Sequence, residues 1–274
     1  MKKFLSVALA FLMLAVMLPV TAMAADGYVT VTITYNGEFS IAKADAVTAA
    51  EATINGQQYS TLKAAQDAFA ALFADNAALF TRYDDPTKTV DKVTYSVYGA
   101  VEAGTDKITL SAGPRNKVSV DLLGYDNAKI NGKVSIGADV AGGYPTWTIV
   151  EGTFNVKNIE FTDGVSISMS GGMYNDDPTA TTDTMNITGC TFRAQLYTYH
   201  NDPATTRIEN ITNNTFINDG TTDYAYMHQG SQFRGTTNTV NFKNNTVTGY
   251  TRGINLQSNK TDFVVDNNTI TSTN

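Results

Sequence analysis

Cysteine is nearly absent from this chain of 274 residues, which contains a single one, Cys190. A disulfide framework within the chain is therefore excluded. Charged residues are also scarce, at 16% of the sequence against roughly a quarter in an average globular protein. The hydrophobic share of 42% is nevertheless enough for a sizeable core, in one large β domain or two smaller ones.

Long apolar runs are missing everywhere except at the N-terminus. There, Lys2 and Lys3 precede an apolar stretch, Phe4 to Val20, and small residues at Ala22 and Ala24 match a signal-peptidase site. We therefore predict that residues 1–24 are a signal peptide, in preference to an uncleaved anchor, because a proline breaks the end of the run. No later segment is long and apolar enough to span a bilayer. The sequence thus predicts a secreted or cell-surface protein.

Basic residues are outnumbered by acidic ones. Without Lys2 and Lys3, the mature chain would keep 17 basic against 26 acidic residues, a net charge of −9. A chain this acidic is poorly suited to wrapping nucleic acid or binding anionic lipid. We therefore expect no nucleic-acid partner and no membrane span in the mature chain, whereas the oligomeric state stays open.

Asparagine, in contrast, recurs in a regular pattern. The frames VKNIEF, ITGCTF, ITNNTF, FKNNTV and VDNNTI end at Phe161, Phe192, Phe216, Val247 and Ile270, at intervals of 31, 24, 31 and 23 residues. Stacked β-coils have periods of this length, and insertions in such folds lie in loops. In each unit, the residue pattern predicts a strand, an asparagine turn, a short strand and a third strand, in that order.

Asparagine suits the turn between two strands because it tolerates left-handed backbone angles. Stacked coils place equivalent positions about 4.7–4.9 Å apart, so that neighbouring amides can hydrogen-bond. The first predicted column comprises Asn158, Gly189, Asn213, Asn244 and Asn267. The second comprises Ile159, Cys190, Asn214, Asn245 and Asn268. We expect the second column to point inward, because Ile and Cys are usually buried.

The NNTF, NNTV and NNTI turns, with the coil rhythm from about Val156 onward, resemble the right-handed parallel β-helix, or pectin-lyase-like, superfamily. Upstream, INGQQYSTLKAAQDAFAAL at Ile54–Leu72 resembles the strand-then-helix cap of many secreted β-helices. The resemblance implies an all-β fold, a right-handed parallel β-helix with an N-terminal capping helix. Residues 25–90 would hold the first strand and the cap, and residues 91–274 the β-helix, for which a truncated C-terminus stays open.

The capping helix can also be predicted from its own pattern. One helical face would carry an apolar set, namely Leu62, Ala65, Phe69, Leu72 and Phe73. Ser60 is the expected N-cap. Such a helix would cover the exposed backbone edge of the first coil.

Catalytic motifs of the superfamily are missing. Its lyases use clustered acidic calcium ligands with a basic residue, and its pectin hydrolases carry Asn-Thr-Asp, Asp-Asp, Gly-His-Gly and Arg-Ile-Lys motifs. Both Asp-Asp pairs here precede proline and indicate turns, and neither His200 nor His228 lies between glycines. An ordinary enzyme of the superfamily is therefore disfavoured, and we assign no catalytic residue. A polysaccharide lyase or glycoside hydrolase remains an alternative, as does a structural stalk or adhesin segment.

Two related loops carry aspartates, Asp176, Asp177 and Asp202. We interpret them first as solvated Asp-Pro turns, because no acidic spacing matches a known cation loop. The alternative is a calcium site, since Ca²⁺ binds several carboxylate and carbonyl oxygens. No other cofactor is expected.

Tyrosines are concentrated in the third strand of two neighbouring units. Strand alternation predicts that Leu196 and Thr198 face inward, and likewise Ala225 and Met227, which leaves the tyrosines outside. The predicted outward strip comprises Tyr197, Tyr199, Tyr224, Tyr226, His228, Arg252, Asn255 and Gln257. Flat aromatic rings with hydrogen-bonding neighbours suit a carbohydrate or the surface of a partner protein. Alternatively, these tyrosines cover the sheet beneath a loop.

Overall fold

A computed structural model describes residues 27–36, 53–75, 89–104, 119–137, 153–168, 182–200, 206–218, 220, 222–230, 238–258 and 261–272. The predicted signal peptide lies outside these residues. The elements in chain order are β1 Tyr28–Asn36, α1 Leu62–Asp75, β2 Thr89–Glu102, β3 Ser119–Asn131, β4 Val134–Gly137, β5 Thr153–Lys157, β6 Glu160–Phe161, β7 Val165–Ser168, β8 Thr182–Thr188, β9 Thr191–Phe192, β10 Leu196–His200, β11 Thr206–Thr212, β12 Thr215–Ile217, β13 Tyr224–Gly230, β14 Asn238–Lys243, β15 Thr246–Tyr250, β16 Gly253–Gln257, β17 Thr261–Asp266 and β18 Thr269–Ser272.

The strands stack as coils. In the larger sheet, β17, β14, β11, β8, β5 and β3 lie side by side, and the same sheet continues through β6, β9, β12, β15 and β18. The second sheet has the order β16-β13-β10-β7-β4. From β2 onward each described strand pairs in parallel with its equivalent in the next coil, whereas β1 pairs with β2 antiparallel. The predicted all-β parallel β-helix is confirmed.

Each corner between the long and the short strand contains a residue with left-handed backbone angles. The φ angles of Asn158, Asn213, Asn244 and Asn267 are 58, 57, 56 and 51°, and that of Gly189 is 67°. A Cβ atom on Gly189 would lie 2.5 Å from the Asn158 Oδ1 atom. Glycine fits this corner without displacing the Asn158 amide, and it adopts the left-handed angle freely. The first predicted column is confirmed, including its glycine.

The second column lies inside the coils, as predicted. Asn214 and Asn245 are 2% and 1% exposed. The backbone N–H of Asn214 donates to Asn245 Oδ1, and that of Asn245 to Asn268 Oδ1, each at 2.8 Å. Each side-chain nitrogen donates in turn to a backbone carbonyl of an earlier coil, at 2.8–2.9 Å. This column therefore satisfies backbone groups that would otherwise be buried without partners.

A further asparagine ladder, which the sequence analysis missed, runs along the outer face of the larger sheet. Asn155 donates to Asp121, and Asn186, Asn210 and Asn241 each donate to the member of the preceding coil, at 2.5, 2.9, 2.8 and 2.9 Å. Each asparagine lies three positions before a corner residue, so the repeat itself carried the pattern that predicts this outer ladder.

Aromatic side chains fill the interior. Phe161, Phe192 and Phe216 stack in one column, with ring centroids 5.3 and 5.0 Å apart. Cys190 is 1% exposed, and burial raises the pKa of its thiol to about 12. The thiol is therefore protonated and acts as a small buried side chain, as its place in the inner column predicted.

Helix α1 covers the first coils at the N-terminal end. Its apolar face, Leu62, Ala65, Phe69 and Leu72, is buried, whereas the Phe73 side chain lies outside the described part. The ring of Phe69 contacts that of Tyr95 in β2 edge-on, at 6.4 Å. The prediction of Ser60 as N-cap is wrong. The helix begins one residue later than that assignment requires, and the Ala64 N–H donates to Thr61 Oγ1 at 3.0 Å.

The inner ladder predicts a specific effect of charge. In Asn245→Asp, an oxygen would replace the nitrogen that donates to the Ile211 carbonyl and Asn268 Oδ1. Burial and these acceptors favour the neutral acid, so the folded-state pKa should rise above the unfolded value of about 3.9. The free energy of unfolding should therefore fall as pH rises from the unfolded-state pKa to the higher folded-state pKa. Chemical denaturation at about pH 5 and about pH 8 measures the effect.

The matched control is Asn241→Asp on the outer ladder, where the side chain is half-buried and water can reach the charge. It should lose less stability and show a weaker pH dependence. Equal losses in the two variants at both pH values would contradict the assignment of Asn245 to the interior.

Candidate functional site

The structure divides the predicted tyrosine strip between two faces of the second sheet. In β10, Leu196 and Thr198 are buried and Tyr197 points outward, as predicted. In β13, however, Tyr226 and His228 are buried and Met227 points outward. The prediction of outward Tyr226 and His228, with Met227 inside, is therefore wrong.

The cause is an irregularity at the start of β13. The register with β16 shifts between Tyr224 and Tyr226, and both Ala225 and Tyr226 are buried. Two successive inward residues reverse the alternation of everything that follows, which is the effect of a β-bulge. Sequence alternation alone cannot reveal such an insertion.

The predicted residues that do lie outside form a patch across three strands. Tyr197 lies beside Met227, which lies beside Asn255, and Gln229 lies beside Gln257. We call this patch the tyrosine face: Tyr197, Tyr224, Met227, Gln229, Arg252, Asn255 and Gln257. The backbone of Tyr199 belongs to β10, but its side chain lies outside the described part.

Polar contacts orient the two rings. The Tyr197 hydroxyl donates to Gln229 Oε1 at 2.7 Å. Arg252 Nη1 donates to the Tyr224 hydroxyl at 3.0 Å, and the guanidinium carbon lies 5.6 Å from the ring centroid, within the range of a cation–π contact. The charge of Arg252 is partly balanced by Asp223, whose Oδ2 lies 3.8 Å from Arg252 Nε. The tyrosine face is thus aromatic and rich in amides, and a nearby carboxylate partly balances the charge of its one cation, Arg252.

Beneath this face lies a polar cluster that the sequence analysis did not predict. Thr198, Glu209, Tyr226 and His228 are each 0–1% exposed. Glu209 belongs to the inner column of the larger sheet, between Met185 and Val240 of the neighbouring coils. A carboxylate in an otherwise apolar column was the signal in the sequence, because a buried charge requires partners.

Three groups surround the carboxylate. The Thr198 hydroxyl donates to Glu209 Oε2 at 2.9 Å, the Tyr226 hydroxyl donates at 3.2 Å, and His228 Nδ1 lies 3.3 Å away. Burial, and then the charge of Glu209, raises the pKa of Tyr226 well above its usual value. The phenol therefore keeps its proton and acts as a donor.

The cluster lies inside the solenoid, and none of its four side chains is open to solvent. Thr198 Oγ1 also lies 3.0 Å from the Tyr226 hydroxyl and 3.1 Å from His228 Nδ1, so the four side chains form one network. His228 Nε2 has no hydrogen-bond partner among the described residues, and its ring contacts that of Phe263 edge-on at 5.6 Å.

The predicted calcium ligands Asp176, Asp177 and Asp202 lie outside the described residues, so that hypothesis stays a prediction. Within the described ranges, no group of three or more His, Cys, Asp or Glu residues could hold a metal ion. The same part of the chain contains no helix long and apolar enough to cross a membrane.

Because comparisons with known proteins found no match, inferences about function rest on the geometry of the structure. No protein-family model, curated protein or solved structure matches the chain. The resemblance to pectin-lyase-like proteins therefore remains at the level of the parallel β-helix itself, a fold that supports unrelated functions.

The buried position of Tyr226 predicts a large loss of stability on truncation. Its ring stacks on that of Phe242 at 5.3 Å, and Tyr226→Ala should cost about 3–5 kcal/mol in chemical denaturation. The matched control is Tyr197→Ala on the outer face, which should cost less than about 1 kcal/mol. Similar losses in both variants would contradict the assigned strand faces.

The polar cluster predicts strong coupling between Glu209 and His228. Glu209→Met leaves buried donors without their acceptor, and His228→Phe removes one partner of a buried carboxylate. The double variant should be more stable than the sum of both losses predicts, by about 1–3 kcal/mol in a double-mutant cycle. As a control, Glu209→Met combined with Phe161→Leu should be additive to within about 0.5 kcal/mol. Additivity of the Glu209 and His228 effects would exclude the network.

Proposed function

We propose that this chain is a secreted or cell-surface protein that binds carbohydrate through the tyrosine face. The supporting observation is that Tyr197 and Tyr224 point outward from neighbouring coils, each held by a polar contact. Fixed rings give a flat apolar surface with little conformational entropy to lose on binding. The N-terminal signal-peptide pattern supports export, and the lack of an internal disulfide does not oppose it.

Amide side chains supply the polar part of the site. Gln229, Asn255 and Gln257 offer both donors and acceptors on the same face as the rings. Sugar rings carry C–H groups on one face and hydroxyl groups around the edge, so aromatic rings bordered by amides match both. Few polar groups at fixed positions are enough to orient a ligand.

The charge of the face favours neutral over polyanionic glycans. Arg252 is its single charged side chain, and Asp223 lies close enough to offset that charge. The chain as a whole is acidic, with a formal net charge of −7 before any cleavage. Binding should therefore depend little on salt, because counterion release contributes little.

Glycan-array screening followed by titration of the strongest neutral hit tests the proposal. Tyr197→Ala and Tyr224→Ala should each weaken binding by about 1–3 kcal/mol, the scale of an anchoring side chain. Melting temperatures should change little, because both rings lie outside the core. Product analysis of each hit shows whether the glycan is cleaved, which would favour a polysaccharide lyase or glycoside hydrolase instead.

Tyr125→Ala is the matched control, because this ring is 44% exposed on β3, in the other sheet. Its loss should leave glycan binding unchanged. Unchanged binding by both tyrosine-face variants, or an equal loss in Tyr125→Ala, would exclude this face as the binding site.

A further inference from the structure

Strand β3 contains an insertion that the next coil lacks. Leu123 lies in register with Lys157 of β5, and Lys129 with Glu160 of β6. Positions 124–128 lie between the paired residues of β3, whereas only positions 158 and 159 lie between those of the next coil, a difference of three. The exposed residues of this insertion are Tyr125, Asp126 and Asn127. Insertions in solenoids often carry a binding surface.

The backbone holds the insertion in an unusual conformation. Asp126 and Asn127 have φ angles of 54 and 57°, whereas each described corner after β3 has a single left-handed residue. Left-handed angles outside glycine are uncommon, and strained backbone clusters at ligand sites. Before the insertion, a Cβ atom on Gly124 would lie 2.0 Å from the Asn158 carbonyl oxygen. Glycine therefore lets the next corner approach while the three inserted residues project from the sheet.

The tyrosine of the insertion completes a stack of three rings. The ring centroids of Tyr28 and Tyr98 lie 4.7 Å apart and those of Tyr98 and Tyr125 lie 5.1 Å apart, with interplanar angles of 19 and 18°. Tyr125 is the last ring of this stack and is 44% exposed. No ring of another described residue covers its second face. The stack thus ends in an aromatic face that a flat group can cover.

A carboxylate lies beside this face. Burial, followed by the nearby Tyr28, Tyr125 and Asp126 side chains, raises the pKa of Tyr98. The Asp126 carboxylate is therefore close enough to act on the stack electrostatically. It is exposed, and no lysine or arginine of the described ranges forms an ion pair with it. We call Tyr125 and Asp126 the insertion site.

The tyrosine face holds the same two residue types with a cation in place. Asp223 and Tyr224 are adjacent there, as Tyr125 and Asp126 are in the insertion. The guanidinium carbon of Arg252 lies 5.6 Å from the Tyr224 ring centroid, and its Nε lies 3.8 Å from Asp223 Oδ2. A guanidinium suits both partners, because it is planar, stacks on aromatic rings and donates to carboxylates as a fork.

We propose that the insertion site binds a guanidinium group, supplied by an arginine of a partner protein or by a free guanidinium compound. The planar cation covers the open face of Tyr125 as a fourth layer of the stack, and the Asp126 carboxylate accepts its N–H groups. A lysine ammonium has the same charge but no flat face, so the site prefers arginine. The site lies on the larger sheet, so it is independent of glycan binding at the tyrosine face on the second sheet.

NMR titration of the full chain with isotope-labelled tyrosines tests the site. The probe is N-acetyl-arginine amide, and N-acetyl-lysine amide is the control of equal charge. The arginine probe should shift the ring signals of Tyr125 saturably and should bind about fivefold more tightly than the lysine probe. The ring signals of Tyr224, which already contacts Arg252, should not move.

Matched variants separate the ring from the charge, with the Tyr98 signals as the reporter. Tyr125→Phe keeps the aromatic face and should bind like the wild type, whereas Tyr125→Leu should bind about five- to tenfold more weakly. Asp126→Asn removes the charge but tolerates the left-handed angle, and it should weaken binding about five- to tenfold. Melting temperatures should stay unchanged, because both side chains are exposed.

Salt and probe length give two further readouts. Raising NaCl from about 0.01 M to about 1 M shortens the screening length from about 30 to about 3 Å and should weaken binding several-fold. A peptide with one arginine between two glycines on each side distinguishes the sources of the guanidinium. Tighter binding of the peptide than of N-acetyl-arginine amide indicates a partner protein, and equal binding indicates a free compound.

Three results would overturn the proposal. They are no saturable shift with N-acetyl-arginine amide, equal affinity for the lysine probe, and unchanged binding by both Tyr125→Leu and Asp126→Asn. Because Asp126→Asn preserves the stack, a loss of folding in Tyr125→Leu would still leave the charge requirement open to measurement.

Discussion

The fold depends on how each coil satisfies its backbone at the corner between the long and short strands. Each described coil turns there through a residue with left-handed backbone angles, and the N–H groups on its inner side are shut off from water. Asparagine meets both needs, because it adopts a left-handed conformation at low cost and because its amide can replace a strand partner. The first asparagine of each pair supplies the angle, and the second supplies the hydrogen bonds. Everything else in the solenoid repeats at the spacing that these corners set.

Because the corners fix the register of the coils, each column of stacked side chains has its own chemical environment. The inner column through Met185 and Val240 is apolar, and Glu209 is accommodated in it by partners that include the Thr198, Tyr226 and His228 side chains. Two of these come from β13, where the bulge turns Tyr226 and His228 inward. The bulge and the buried carboxylate therefore depend on each other. Without the bulge the donors would face solvent, and without Glu209 they would lose their shared carboxylate acceptor.

This dependence explains which features could be predicted from sequence. The corners are local, since two asparagines followed by a threonine and an apolar residue specify the turn wherever they occur, and both columns were predicted correctly. The face of a strand is also local while alternation holds, as it does through Leu196 and Thr198. In β13 the bulge adds one inward residue. The residues that it turns inward pair with Glu209, which belongs to the opposite sheet. A strand read alone carries no trace of that partner, so two members of the predicted tyrosine strip, Tyr226 and His228, were assigned to the wrong face.

The same constraint shapes the proposed binding surface. The tyrosine face lies on the side of the solenoid, where side chains alternate outward and neighbouring coils already satisfy the backbone. Recognition there would depend on rings and amides, which suits a small or extended glycan.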